Sequence, residues 1–139
     1  SDGEIVIDTF YRNVPGLRKL IEDIQYEFRH NRGRLETIDG GFVLCPSQGA
    51  SLNYKIQSLG SILMKLAAII LDDNANAQVL LFNLVGSIHD EVHLESHKYD
   101  SETLVKLAVW SIEEAGRQLK LNVPVTGDFK IGSGWHETH

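Results

Sequence analysis

Cysteine, proline, methionine and tryptophan are all scarce here: one Cys, three Pro, one Met and two Trp in 139 residues. The lone Cys45 cannot form an internal disulfide, which points to a reducing, cytoplasmic compartment. No apolar run reaches the roughly 20 residues of a spanning helix. The longest, around Leu66–Leu71, is embedded in helical patterning, so no membrane partner is expected. The opening SDGEIVIDTF has neither the basic start nor the apolar core of a signal peptide, and with no initiator Met it suggests a processed or excised chain. Gly-rich phosphate loops, paired CxxC, HExxH and GxSxG are all missing. Cations are short as well, with 13 Lys and Arg against 19 Asp and Glu, for a net charge of −6. Phosphate binding wants clustered Lys and Arg, so this balance argues against a stand-alone nucleic-acid binder unless a basic partner supplies the contacts. What is present is an ordinary globular composition, 42% hydrophobic and 23% charged, sized for one domain.

The chain is organised around Val79–Ser96, VLLFNLVGSIHDEVHLES. Val79–Ile88 is apolar almost throughout, with Asn83 as the main interruption, which predicts a strand covered on both faces. Glu91–Ser96 alternates, Val92 and Leu94 on one side and Glu91, His93 and Glu95 on the other, which predicts a strand with one solvated face. His89-Asp90-Glu91 joins them, and two readings stand: a plain polar turn, or a site that holds a metal or a proton. A tight turn can bring Asp90 and Glu91 to one divalent cation, and Mg²⁺ favours carboxylate oxygens. One or two carboxylates from a single chain rarely complete such a site. His89, His93 and His97 recur every four residues, a spacing that suits zinc on a helix but loses that meaning in a strand pattern.

Residues 1–12 fit either a short strand, through Ile5, Val6, Ile7 and Phe10, or the tail of a helix beginning outside the chain. Asn13 suits an N-cap with Pro15 in the first turn, and Leu17, Ile21, Ile24 and Phe28 predict an amphipathic helix ended by Gly33. Asp39-Gly40-Gly41, flanked by Arg34–Ile38 and Phe42–Cys45, is a hairpin signal that Pro46 closes. A long helix over 50–71 has an apolar face of Leu52, Ile56, Leu59, Leu63, Leu66 and Ile70. Its other face carries Asn53, Gln57, Gly60 and Ser61, small enough in part to admit another backbone or a ligand. Asn53 and Gln57 read either as ordinary solvated amides or as donors to the minor-groove acceptors, purine N3 and pyrimidine O2. Asp72-Asp73-Asn74 is expected to end this helix. A further helix runs from Asp100 or Ser101 to about Leu119, buried through Leu104, Ala108, Ile112, Ala115 and Leu119, with surface pairs Glu102–Lys106 and Glu113–Arg117. Pro124 then opens an expected strand through Ile131, and Trp135 anchors the C-terminal tail. The predicted class is α+β, a small antiparallel sheet packed against three main helices.

In this order FYRNVPGLRKLI, the TIDGGFV hairpin, ASLNYKIQSLGSILMKLA, SIHDEVHLES and the terminal KIGSGWHETH resemble the C-terminal palm region of family A DNA polymerases. These are the bacterial DNA polymerase I type, and the likeness is closest to replicative polymerases of T-odd phages. It spans nearly the whole chain, least at residues 1–9, and the ending from Trp135 to His139 matches in length. The resemblance implies that residues 1–33 continue from the fingers and that 34–139 form the C-terminal part of the palm. It implies that His89-Asp90-Glu91 is motif C, with Asp90 a metal ligand, Glu91 a ligand or orienting group, and His89 beside the primer terminus. Asn53 and Gln57 fall at the family's minor-groove contacts to primer-template DNA. The implied reaction is nucleotidyl transfer from a dNTP, with two Mg²⁺ ions about 3.5–4 Å apart serving the primer 3′-hydroxyl and the leaving pyrophosphate. For a phage-encoded chain the compartment is the host cytoplasm.

Two family elements have no counterpart here: motif A with its metal-binding Asp, and motif B, the fingers helix that grips the incoming nucleotide. Gly49 stands where the family often has a basic or polar duplex contact. Asp90 and Glu91 cannot by themselves hold two metal ions and a triphosphate. The chain is therefore expected to be inactive alone, the C-terminal piece of a split polymerase whose N-terminal partner fragment carries motifs A and B and much of the positive charge. The Ser1 start fits protein splicing or proteolysis. An exposed sheet edge and apolar helix faces should make the isolated chain poorly soluble. The alternatives are a non-catalytic structural or duplex-clamping subunit of a replication complex, and a small metal-dependent nuclease built on Asp90 and Glu91.

Overall fold

A computed structural model of the protein describes residues 2–138; Ser1 and His139, with the expectations attached to them, lie outside the described residues. The chain divides into two compact units, Ser1–Leu59 and Gly60–His139.

The first unit opens with α1 (Asp2–Asn13) and α2 (Pro15–His30), so the ambiguous start is helical. Asn13 is the last residue of α1 and not the cap expected of it. Val14 takes the cap position without a side-chain bond, its amide donating to the Phe10 carbonyl at 3.0 Å. Pro15 follows where its missing N–H costs nothing. Gly33 closes α2 as expected: at φ 83 its amide donates to the Phe28 carbonyl at 2.9 Å, a left-handed cap. A Cβ there would also lie 3.0 Å from the Cys45 carbonyl. β1 (Arg34–Glu36) and β2 (Phe42–Leu44) pair antiparallel with Leu35 opposite Val43. The Asp39 carboxylate accepts from the Thr37 hydroxyl and from the Gly41 amide, and Gly40 takes φ 83 in the turn between them. Ile24, Leu35 and Cys45 are the buried core, with Phe28, Val43, Leu52 and Tyr54 packed on it.

A short 3-10 turn, Gln48–Ala50, leads into α3 (Ser51–Ala77). Lys55 bridges to Glu27 at 2.8 Å, and Glu27 also accepts the Glu36 amide, so one carboxylate joins α2, β1 and the start of α3. Ile56, expected on the apolar face, is exposed. Leu52 and Tyr54 reach the small core, and a helix rising 1.5 Å per residue carries Ile56 past its end.

In the second unit the remainder of α3 buries Met64, Ala67, Ile70, Leu71 and Ala75. Asp72-Asp73-Asn74 does not end it. These residues cost only tenths of a kcal/mol each, roughly, in a helix, and burial of Leu71 and Ala75 on either side outweighs that. The Asn74 amide donates to the Ile70 carbonyl at 2.8 Å. The helix stops where Val79 adopts φ 59 and the Leu80 amide bonds back to Ala75 at 2.9 Å. Residues 48–77 are thereby long and apolar enough to cross a membrane by length and composition, which corrects the expectation drawn from the short Leu66–Leu71 run. Within it Ala67 and Ile70 form a core with Ala115, with Leu63, Leu66 and Ile112 packed on it, although only 17% of the apolar window is buried.

α4 (Ser101–Gln118) supplies the opposite wall, burying Leu104, Ser111, Ala115 and Gly116. Arg117 pairs with Glu114 at 2.8 Å in place of the expected Glu113. Hydrogen bonds from Gln118 and then Arg117 hold the Glu114 carboxyl below its usual range. Glu113 accepts instead from the Thr126 hydroxyl at 3.0 Å. That contact explains why 125–131 is not the strand expected: the segment lies against α4 and has no ladder partner among the described residues. A Cβ on Gly116 would sit 2.3 Å from Val125 Cγ2, and one on Gly127 2.9 Å from Ile112 Cδ1. The tail ends in a one-turn helix α5 (Trp135–Thr138), where the Ser133 amide donates to Glu137 at 2.6 Å. With β3 (Phe82–Ile88) and β4 (Glu91–Ser96), the class is α+β, its strands forming two separate two-stranded antiparallel ladders.

Candidate active site

β3 starts at Phe82, three residues later than the apolar run, because Val79 is used to close α3. Ile88 pairs with Glu91, which leaves His89-Asp90 as a two-residue turn. Loops of this length need a positive φ, and His89 supplies it at 56°. A non-glycine residue held there costs about 1–3 kcal/mol. His89, Asp90 and Glu91 are consecutive and all exposed, with Glu91 already in the strand.

A register shift between Leu84 and Gly86 sets the faces of the hairpin. Gly86 comes opposite His93, Ser87 opposite Val92 and Asn83 opposite Glu95. The alternation expected of β4 is kept only in part: Glu91 and Glu95 are exposed and Val92 and Leu94 half-buried, but His93 is not solvated. Its side chain is only 13% exposed, lying over Gly86, where a Cβ would come within 3.2 Å of the ring. Its other cover is Trp135, with ring centroids 4.5 Å apart. Trp135, expected as an apolar anchor, is itself 57% exposed and meets the hairpin through this imidazole. The His93 Nε2 stands 3.7 Å from a Glu91 carboxylate oxygen, so Glu91 is drawn toward a covered ring. Sequence reading put His93 on the solvated face and passed over Gly86; a glycine inside a strand pattern was the available signal, since it marks a bulge or a close approach.

The expectation that the apolar strand is covered on both faces fails. Val85 is 63% exposed, and Leu84 and Ile88 are also open, because the ladder holds only two strands. Asp90, Glu91 and His93 border a cleft of about 900 Å³, with further walls from Gly60, Leu63 and Met64 of α3, Ala108 and Ile112 of α4, and the segment 124–130.

Among the described residues no group of three or more His, Cys, Asp or Glu side chains converges to hold a metal. Asp90 and Glu91 are nonetheless the right donors for a hard cation, two exposed carboxylates adjoining open space. Two carboxylates alone are fewer than the roughly six oxygen ligands such a cation takes. In the first unit Asn53 and Gln57 are both exposed, one turn apart on one face of α3. Gly49 is also open: a Cβ there would meet nothing within 4 Å.

The sequence profile of DNA polymerase family A matches residues 1–137. The chain belongs to DNA polymerase family A. DNA polymerase I of Aquifex aeolicus is 24% identical over 137 residues, covering 97% of this chain and 24% of that protein. DNA polymerase I of Bacillus caldotenax is 28% identical over 142 residues, covering 94% and 16% respectively. The DNA-directed DNA polymerase of Escherichia phage Phieco32 is 27% identical over 89 residues, covering 64% and 14%. Among solved structures, the POL domain of Pol1 from M. smegmatis, in complex with DNA primer-template and dNTP, superposes with a TM-score of 0.73 at 21% identity. That match covers 82% of this chain and 22% of the other, and shows a shared fold. This family A chain spans between 14% and 24% of the length of these curated relatives.

Proposed function

We propose that this chain is the C-terminal palm part of a template-dependent DNA polymerase, with residues 34–139 forming that part and 1–33 continuing from the fingers. Its β3–β4 turn acts as motif C. The observation that carries this reading is the exposed Asp90-Glu91 pair, presented by a left-handed His89 at the tip of a hairpin in a family A chain. Bound Mg²⁺, two ions in this reading, supplies Lewis-acid activation of the primer 3′-hydroxyl and neutralises charge on the leaving pyrophosphate. Asp90 is a ligand. Glu91, drawn toward His93, ligates or orients, and His89 stands beside the primer terminus. Asn53 and Gln57 donate to minor-groove acceptors of the primer-template duplex.

Two carboxylates are too few for two ions and a triphosphate, and a net charge of −6 is poorly suited to binding one. The reading therefore includes an N-terminal fragment that brings motifs A and B, the second metal-binding carboxylate and the cationic contacts to dNTP, in the cytoplasm of the cell or phage host.

The test mixes the chain with a fragment carrying motifs A and B and measures primer extension with Mg²⁺. Loss of a metal ligand removes several kcal/mol of transition-state stabilisation, so Asp90→Ala should slow extension about a hundredfold or more. Undiminished extension by Asp90→Ala would sink the ligand assignment. Extension by the chain alone would sink the divided site.

A further inference from the structure

His93 is placed by three contacts. The register shift brings Gly86 opposite it, and the ring fills the space beside the missing Cβ, which would lie 3.2 Å from it. Trp135 lies across the ring with centroids 4.5 Å apart and planes tilted by 35°. Nε2 has almost no contact with solvent and stands 3.7 Å from a Glu91 carboxylate oxygen.

Packing alone does not call for a histidine here. Burying a polar ring nitrogen costs free energy unless it is bonded, and an apolar side chain would fill the gap between Gly86 and Trp135 without that cost. Gly86 carries a second cost, since glycine in a strand interior forfeits side-chain packing. Residues two apart in a strand share a face, so Glu91 and His93 lie on the same side of β4. Asp90, in the turn, is outside that alternation. An imidazole held rigid on this face therefore bears on the direction of the Glu91 carboxylate and leaves Asp90 alone.

We propose that His93 is a positioning residue for Glu91. A small rotation of the exposed Glu91 side chain closes the gap, and the Nε2–H then donates to the carboxylate and holds it along β4, clear of Asp90. Gly86 and Trp135 keep the ring from turning away, as the supporting contacts of a site must. The proposal rests on the motif C reading and narrows it: Asp90 ligates, and Glu91 orients.

The test uses the chain mixed with the fragment that carries motifs A and B. His93→Leu fills the space without a donor, and should lower kcat for primer extension about tenfold with little change in the KM for dNTP. His93→Gln restores a donor and should recover part of that loss. A merely structural histidine predicts the reverse order, since leucine packs better between Gly86 and Trp135. A second readout needs neither metal nor turnover. With fluorotryptophan in this chain, EDTA present and DNA absent, Trp110→Phe identifies the Trp135 fluorine resonance. Glu91→Gln should shift that resonance through the ring between them, whereas Asp90→Ala should not. Wild-type kcat in His93→Leu, or a Trp135 resonance indifferent to Glu91→Gln, would overturn the proposal. Loss of extension in Asp90→Ala alongside either result would remove the role of His93 and leave the motif C reading standing. Undiminished extension in Asp90→Ala would sink that reading and this one with it.

Discussion

His89 takes φ 56 with an imidazole side chain in a turn where Gly or Asn would cost less, and through it Asp90 reaches the tip of the hairpin. The neighbouring Glu91 is settled differently, by strand pairing to Ile88 and by its approach to His93. His89 and Asp90 were readable as a turn, whereas Glu91, read with them, is the first residue of β4. The covering of His93 was not, because it depends on a bulge in the partner strand and on a ring forty-two positions away, Trp135. At Gln57 the residue scale yields a clean separation. The side chain is exposed on α3, so Gln57→Ala should change stability by no more than about 0.5 kcal/mol, the range of surface substitutions, and barely move the melting temperature. Primer-template binding in the reconstituted complex should weaken by a factor that fits one lost hydrogen bond, about 1 kcal/mol or roughly fivefold. A large fall in melting temperature would mark Gln57 as a structural amide instead.

Among the elements, the helices were legible and their ends were not. Periodicity located α2, α3 and α4, but α3 runs on to Ala77 through three residues that usually stop a helix. Side-chain preference at Asp72-Asp73-Asn74 is worth tenths of a kcal/mol, while the flanking buried residues each contribute more. The segment 125–131 shows the opposite failure. Its residues suit a strand, but a strand needs a ladder, and here Val125 and Gly127 settle against α4. Gly116 makes that contact possible. Gly116→Ala gains helix propensity of about 1 kcal/mol yet forces a methyl against a stiff valine, which costs roughly 1–3 kcal/mol. The expected net result in urea denaturation is a loss of stability. Gly116→Ala with Val125→Ala should recover part of it, whereas two additive losses would show that the two positions do not meet.

For the whole molecule, the exposed apolar residues Val79, Leu81, Val85 and Leu84 cluster around a two-stranded ladder, and isolated two-stranded hairpins are marginal in water. A partner fragment that pairs with this hairpin should stabilise it by mass action, by about 2.7 kcal/mol at a hundredfold excess over Kd. Hydrogen exchange of the β3 and β4 amides should slow markedly on mixing. Unchanged exchange there, alongside restored primer extension, would mean that the partner docks elsewhere.

Periodicity and turn signals were enough to determine the α+β class and the places of the main helices and both hairpins, while the family came from the resemblance of the motifs in their order. These depend on local spacing and turn chemistry, which a sequence carries directly. Only the tertiary structure decided that His93 is covered, that α3 outlasts its polar stretch, and that the last apolar segment lies on a helix. Each of these depends on which surface a residue meets across the fold, and packing of that kind is not encoded in any one stretch of the chain.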